Sequence, residues 1–341
     1  MKSTPRVLPK SIERACTIVG PTLAAASATL SLELRRVVEY HWGWIDQAGN
    51  RSTEGGGKAL RPTLAILSAE AVGESADRVR AAAAAVEIIH DFTLLHDDVM
   101  DCDRKRRGRP TAWTVFGIGS ALCAGDALVP LAQRILLEDE SPRRVDALRS
   151  LAKATETVIA GQMLDISFEQ RVDVSVAEYV HMASQKTGAL LGCAASIGAL
   201  LAEGPEATVA GLHQFGCSLG LAFQAVDDWL GIWGDPDRVG KPFAGDLRQR
   251  KASLPIVVAA SSDSSAGRKM RALLAGSEPL DETAIAHGIE CLDATGAETA
   301  TTQLARDQLA AAYAALDSVD IAVDARRDLR ELASFVVDRE F

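Results

Sequence analysis

Between residues 87 and 111 the chain reads EIIHDFTLLHDDVMDCDRKRRGRPT. An apolar helical pattern turns acidic at Asp97, Asp98 and Asp101, then basic at Arg104, Lys105, Arg106 and Arg107. At 100° per residue Asp101 lies about 40° around a helix from Asp97, and Asp98 about 100°, so three carboxylates share one face. Two carboxylates ~5 Å apart at an effective dielectric near 20 repel by roughly 3 kcal/mol. Ile88, Ile89, Leu94 and Leu95 mark a core helix, which limits relief by solvent. A cation relieves the repulsion. Oxygen-only ligands select Mg²⁺, which takes few carboxylates and completes its shell with water or phosphate oxygens. The competing reading is an acidic helix end beside a solvated basic loop.

A second stretch, LHQFGCSLGLAFQAVDDWLGIW at 212–233, repeats the theme with Asp227 and Asp228. Two acidic faces in an apolar bundle predict one metal site shared between facing helices. Cations are spaced to match. Lys58 and Arg61 stand one helical turn apart after the glycines 55–57, and Lys186-Thr187 lies on a predicted helix over 176–203. Lys241 follows Gly240, Lys251 ends the loop after the second acidic helix, and His90 falls about 20° from Asp97. Singly these are solvated lysines and a packed histidine. Together they are what a diphosphate bridged to carboxylates by Mg²⁺ requires.

The elements that must position these groups read as helices. Alanine-rich runs, few aromatics and only 12 prolines favour helix over strand. Breaks fall near 55–57, 74–75, 102–110, 138–142, 204–205, 234–253, 262–267, 276–280 and 293–296. No proline occurs between Pro62 and Pro110, leaving room for one helix over 76–101 with Ser75 as N-cap. The expectation is an all-α bundle forming a single domain over 1–341. N-terminal helices occupy 1–50, the motifs 56–255 and C-terminal helices 256–341, ending in a packed helix over 322–337. A net charge of −10 argues against nucleic acid as a partner. Six scattered cysteines without a CxxC predict free, mostly buried thiols in a reducing cytoplasm. No uninterrupted apolar run reaches ~18 residues, so no membrane span is expected. Glu13 and Pro21 interrupt a secretory-signal pattern at the N-terminus, which reads instead as a helix of the fold.

Two motifs are decoys. Gly216-Cys217-Ser218-Leu219-Gly220 matches GxSxG but sits in a helical run, where glycines serve close packing rather than a nucleophile elbow. Residues 234–241 imitate a Walker A loop with five residues before GK and Pro242 where Ser or Thr belongs.

Taken in order, GGKALRP, HDFTLLHDDVMD with RRGRPT, GQMLD, KTG, FQAVDD, GDPDRVGKPFAGDL and RKASLP resemble the trans-polyprenyl (isoprenyl) diphosphate synthase family, over residues 56–255. The resemblance implies an isoprenoid-synthase-like helical bundle around a central apolar cavity, and a homodimer. It makes Asp97, Asp98 and Asp101 the first metal motif, and Asp227 and Asp228 the first two aspartates of the second, with three Mg²⁺ per site. Lys58, Arg61, His90 and Arg107 match the isopentenyl diphosphate groups. Arg106, Lys186, Lys241 and Lys251 match those holding the allylic diphosphate. Thr187 and Gln224 fall where oxygens face the developing carbocation, and Gln162 and Asp165 resemble supporting contacts. Two positions depart from the pattern: Gly231 stands for the third aspartate of the second motif, with Asp235 a candidate substitute, and Arg250 stands where glycine is common.

The expected reaction is Mg²⁺-dependent head-to-tail condensation of isopentenyl diphosphate with dimethylallyl, geranyl or farnesyl diphosphate, the work of a prenyltransferase. By family analogy the released diphosphate accepts the proton. Product length follows from Phe92 and Thr93, five and four residues before the first motif. One aromatic at the fifth position resembles geranylgeranyl-forming, short-chain enzymes, so C20 is expected, with C15 (farnesyl) the alternative. A class I terpene cyclase is a weaker rival, since the single asparagine, Asn50, leaves no Asn/Ser/Glu metal motif. A non-catalytic partner subunit is another, resting on Gly231 alone.

Overall fold

The computed structural model describes residues 8–52, 59–235, 243–276 and 278–337. Lys58, Lys241, the glycines 55–57 and the tail 339–341 lie outside these. Helices α1 (Lys10–Ser27), α2 (Leu32–His41), α3 (Leu60–Ala71) and α4 (Arg80–Met100) come first. A hairpin of β1 (Lys105–Arg106) and β2 (Arg109–Pro110) follows, then α5 (Ala112–Phe116), α6 (Ile118–Leu137) and α7 (Arg144–Phe168). Next are α8 (Val176–Ala183), a π-helical turn Ser184–Gly188, α9 (Ala189–Leu201) and α10 (Glu206–Trp233). The chain closes with α11 (Gly245–Arg248), α12 (Leu254–Ser261), α13 (Ser265–Leu274), α14 (Glu282–Ala294), α15 (Ala297–Asp317) and α16 (Val323–Val337). The fold is all-α, as the composition and periodicity predict.

The chain divides into two compact units, one of Met1–Lys153, Cys193–His213 and Val319–Leu332, the other of Ala154–Gly192, Gln214–Ser318 and Ala333–Phe341. In the first, α4 is the central element. Ala82, Ala83, Ala84, Ala85, Val86, Ile88 and Ile89 are all buried, and small side chains over this half admit α1 and α3 closely. Its other half packs on α6. A Cβ added at Gly125 would sit 2.4 Å from the His96 ring, so that glycine is the socket for a side chain adjacent to the first aspartate. Helix α6 is long and apolar enough to cross a membrane by length and composition. It carries Asp126 and Arg134, however, and its Ala121, Ala124, Leu128 and Ala132 are buried, as in a core helix.

In the second unit the end of α10 joins α11 to α14 in one apolar cluster of Ile232, Leu247, Ile256, Met270, Ile285 and Leu292. Helix α8 starts with a capping box, Ser175 accepting from Glu178 N–H while Glu178 accepts from Ser175 N–H at 2.9 Å.

Several boundaries differ from expectation for local reasons. The helix expected over 76–101 opens as a 3₁₀ turn, Ala76–Val79, and Ser75 makes no side-chain cap. The N-terminal helix expected of the fold is present as α1, with Pro21 inside it. The helix expected over 176–203 is broken by the π turn. Three cysteines, 16, 102 and 123, are exposed, and only 193 and 291 are fully buried, so the thiols are not mostly buried. In the terminal helix Leu329, Leu332, Ala333, Val336 and Val337 are buried as the periodicity requires, whereas Ala322 is exposed.

Helix α9 approaches α3 more closely than any side chain would permit. A Cβ at Gly198 would lie 2.0 Å from Ala65 O and 2.6 Å from Ser68 Oγ. Ser68 Oγ accepts from Ala199 N–H at 3.2 Å. Gly198→Ala should therefore destabilise by about 1–3 kcal/mol despite the better helix propensity of alanine. A lowered melting temperature with unchanged far-UV circular dichroism is the expected outcome.

Candidate active site

The first acidic motif occupies the C-terminal end of α4, with Asp101 capping it through its N–H to Asp97 O at 2.8 Å. That end carries the negative pole of the helix dipole, so carboxylates there are electrostatically misplaced unless a cation joins them. The three do not behave alike. Asp97 is half-buried and Asp101 exposed, but Asp98 is 1 % exposed. Its Oδ1 accepts from Arg106 Nε at 2.6 Å, while Oδ2 is buried without a hydrogen-bond partner. Burial pushes the Asp98 pKa up and the Arg106 charge opposes it. Asp98 therefore ties the helix end to the basic hairpin and leaves Asp97 and Asp101 facing outward.

The hairpin itself explains a choice of residue. Its two-residue loop is Arg107 and Gly108, at φ 52° and 77°, the geometry of a type I′ turn. Asn-Gly suits such a turn, and a bulky non-glycine residue there costs of order 1–2 kcal/mol. Arg107 accepts that strain at a position the sequence assigns to diphosphate binding. The hairpin is clamped by the end of α2. Tyr40 donates to Pro110 O at 2.8 Å, and the Arg109 guanidinium lies 4.6 Å over the Tyr40 ring. A cavity of about 30 Å³, room for one water, is lined by Tyr40, His41, Asp98, Arg106 and Arg107.

Arg61 on α3 is held among acids that the sequence reading did not single out. Glu87 and Asp91 stand one turn apart on α4, and both favour the charged form of Arg61 against its burial. Asp91 accepts from Trp42 Nε1 at 2.6 Å and lies 3.6 Å from His41 Nε2. Burial, then the Asp91 charge, pushes Glu87 up to about 7, with Arg61 and Arg107 opposing. Burial and the neighbouring Arg61 and Arg107 hold His90 well below its usual value, so it is a neutral imidazole at pH 7. The signal in the sequence was Glu87, His90 and Asp91 at i, i+3 and i+4 within an otherwise apolar helix.

In the second unit, Asp227 is exposed and Asp228 is 4 % exposed near the C-terminal end of α10. Asp228 takes three donors: the Tyr179 hydroxyl, Leu254 N–H at 2.6 Å and Gln224 Nε2 at 2.9 Å. Burial, then the Asp246 charge, pushes it up to about 7. Gln224 Oε1 accepts from Thr187 Oγ1 at 2.7 Å, so the two oxygens assigned to the carbocation are linked. Lys186 donates to Asp165 Oδ2 at 2.5 Å. Gln162 is buried one turn before Asp165. The π turn that breaks the expected helix carries Lys186 and Thr187, and glycines make room for it. A Cβ at Gly161 would lie 2.4 Å from Lys186 N, and one at Gly220 would lie 2.7 Å from Gly188 Cα. Gly220 of the GxSxG decoy is thus a packing glycine. Lys251 follows Arg250, whose φ of 52° explains the family preference for glycine there. Arg250 instead donates to Leu273 O at 3.2 Å and Glu278 O at 2.5 Å. Tyr179 had no signal in the sequence beyond its type, and Asp246 lies within the quoted GDPDRVGKPFAGDL run without having been singled out.

Upstream of the first motif Phe92 is 7 % exposed and meets His96 edge-on at 4.9 Å. Thr93 is half-buried, its hydroxyl turned back to His90 O at 2.7 Å.

The donor chemistry fits Mg²⁺. The acidic helix ends offer carboxylate oxygens only, and among the described residues no three His, Cys, Asp or Glu side chains form a ready cage. One or two carboxylates with the rest of the shell left to phosphate and water is the arrangement Mg²⁺ prefers. The orphaned Asp98 Oδ2 is consistent with a polar occupant nearby.

Two outcomes are expected. Arg107→Asn should leave the melting temperature unchanged or raised, because asparagine suits the turn, while raising KM for isopentenyl diphosphate about tenfold or more. Glu87 is protonated more readily in the folded chain, about 7 against 4.5, so ionising it as pH rises through that window opposes folding. Denaturation at a series of pH values should show Glu87→Gln gaining stability relative to the unmodified protein between about pH 4.5 and 7, and level above it.

Residues 43–292 match the polyprenyl synthetase family. The (2E,6E)-farnesyl diphosphate synthase of Mycobacterium tuberculosis is 39% identical over 99% of this chain and 95% of its own. The geranylgeranyl diphosphate synthase of the same organism is 41% identical over 99% and 96%. Among solved structures, the Streptomyces coelicolor polyprenyl synthetase superposes with TM-score 0.92 at 44% identity, over 97% of this chain and all of that one. A Corynebacterium glutamicum geranylgeranyl pyrophosphate synthase, solved with isoprenyl diphosphate and magnesium, gives 0.81 at 28% identity over 98% and 100%. The chain belongs to the polyprenyl synthetase family and is a trans-prenyl diphosphate synthase.

Proposed function

We propose that the enzyme makes geranylgeranyl diphosphate (C20) by successive additions of isopentenyl diphosphate to allylic diphosphates. The observation that carries the assignment of roles is the Asp98–Arg106 bond, which couples an acidic helix end to a basic hairpin and leaves Asp97 and Asp101 outward. In this reading the carboxylates of both acidic helix ends hold Mg²⁺ together with the allylic diphosphate, three ions per site. The magnesium in the Corynebacterium glutamicum structure supports the metal. When bound, the metal supplies neutralisation of the leaving diphosphate. Arg106, Lys186, Lys241 and Lys251 bind the same group. Lys58, Arg61, Arg107 and neutral His90 bind isopentenyl diphosphate, with Glu87 and Asp91 offsetting the desolvation of Arg61. Thr187 and Gln224, fixed by their mutual hydrogen bond, present oxygen lone pairs to the allylic cation. Apolar helix faces exclude water from that cation, which prevents its hydrolysis.

Product length rests on Phe92 as the floor beneath Asp97, braced by His96, with Thr93 too small to close the way. Both a farnesyl and a geranylgeranyl synthase stand among the relatives, so the floor residue is the discriminating feature. We also assign the enzyme to the cytoplasm as a homodimer. The exposed Ile118 and Leu137 at the ends of α6 offer apolar area for the partner copy.

Incubation with labelled isopentenyl diphosphate and each allylic primer, followed by sizing of the dephosphorylated products, should give mainly C20 chains. EDTA should abolish turnover, and Phe92→Ala should lengthen the chain by at least one five-carbon unit. A dominant C15 or C25 product from the unmodified enzyme removes the length assignment. Light scattering should return about twice the 36.1 kDa of one chain.

A further inference from the structure

The groups assigned to isopentenyl diphosphate come from separate elements: Arg61 from α3, His90 from α4 and Arg107 from the hairpin turn. Their spacing has to be fixed by something that touches more than one of these elements. The end of α2 does so. Three consecutive residues there reach three different places. Tyr40 donates to Pro110 O of the hairpin at 2.8 Å, and Trp42 Nε1 donates to Asp91 Oδ2 on α4 at 2.6 Å. His41, between them, lines the small cavity with Asp98, Arg106 and Arg107, and its Nε2 lies 3.6 Å from Asp91 Oδ1. That separation is an electrostatic contact rather than a hydrogen bond.

Asp91 follows His90 directly on α4, so whatever anchors one fixes the other. Asp91 is 7 % exposed, and the His41 side chain is equally buried. A carboxylate is costly to bury, and apolar residues of similar volume in place of buried charges are often neutral or stabilising. Stability alone gives no reason for an acid at 91. Its surroundings do. The Asp91 charge acts on Arg61 against the effect of burial, while His41 acts on both His90 and Asp98. The cluster is thus within electrostatic reach of the isopentenyl diphosphate groups, and its own polar atoms are turned inward. Arg106 and Lys186, assigned to the allylic diphosphate, are held separately, by Asp98 at 2.6 Å and by Asp165 at 2.5 Å.

We propose that Asp91, gripped by Trp42 and His41, is a positioning residue for isopentenyl diphosphate. The end of α2 sets the spacing between His90 on α4 and Arg107 in the hairpin, through Asp91 on one side and Tyr40 on the other. Buried partners of this kind hold binding groups to the tolerance that recognition needs, and a displacement of about 1 Å is enough to weaken it. The effect falls on one substrate of the two.

The inference rests on the assignment of Arg61, His90 and Arg107 to isopentenyl diphosphate, and the test separates the two. Initial rates are measured with each substrate varied at saturation of the other, on Asp91→Ala, Asp91→Asn, Trp42→Phe and Arg107→Asn. Asp91→Ala and Trp42→Phe should raise KM for isopentenyl diphosphate about tenfold, leaving KM for the allylic primer within about twofold. Asp91→Asn, whose amide oxygen can still accept from the indole, should return to within about threefold of the unmodified enzyme. Melting curves identify any variant that does not fold, and Trp42→Phe carries the test if Asp91→Ala is one of them. Folded variants at Asp91 and Trp42 with unchanged KM for isopentenyl diphosphate overturn the inference, as does an equal rise in KM for both substrates. An unchanged KM for isopentenyl diphosphate in Arg107→Asn overturns the underlying assignment and the inference with it.

Discussion

Carboxylates at the C-terminal ends of helices set the terms for the rest of this molecule. Helix ends of that polarity favour cations, and acidic residues are ordinarily placed at the opposite end. Here Asp97, Asp98 and Asp101 end α4, while Asp227 and Asp228 lie in the last two turns of α10. Each cluster repels itself and its own helix dipole. The chain answers part of that charge internally. Arg106 neutralises Asp98, and three donors surround Asp228. Asp101 and Asp227 remain exposed and Asp97 half-buried. Acidic residues at these helix ends break a local rule, as functional sites commonly do.

The same logic runs through the cationic side. The Arg61 guanidinium is charged in any environment a protein offers, and Glu87 and Asp91 beside it offset the cost of its desolvation. Asp91 is in turn fixed by Trp42 and stands close to His41, at the end of α2. Arg61 thus faces acids of which one, Asp91, is itself anchored by the Trp42 indole at 2.6 Å. Preorganisation of this kind lowers the cost of charge development in the transition state.

Much of this was legible in the sequence, because the chemistry requires particular residue types at helical spacing. The all-α class, the long acidic helices and the ordered motifs follow from periodicity and from carboxylate and cation placement. The π turn at 184–188 was not legible. It exists because Gly161 and Gly220 let neighbouring backbones approach within contact of Lys186 and Gly188, and those glycines are distant in sequence. The hairpin at 105–110 was read only as a basic loop, since two-residue strands carry no alternation to detect. Glu87, Asp91 and Tyr179 were passed over because a buried acid or tyrosine in an apolar helix looks the same in sequence whether it is structural or supports a site.

The positions where this chain departs from its relatives' pattern are informative in a single way: each has a backbone or steric reason visible nearby. Arg250 adopts a left-handed conformation that glycine would take more readily, and its guanidinium is engaged with two carbonyl oxygens that a glycine could not reach. Arg107, which matches the pattern, takes the same left-handed conformation in the hairpin turn. Gly231 is the converse, a small residue where charge was expected, with the carboxylate of Asp246 already in the vacated space. A motif written as consecutive letters treats such changes as losses. Written as positions in space, the same stretch shows a buried carboxylate packed against the glycine of the helix, a neighbourhood that the letters alone do not display.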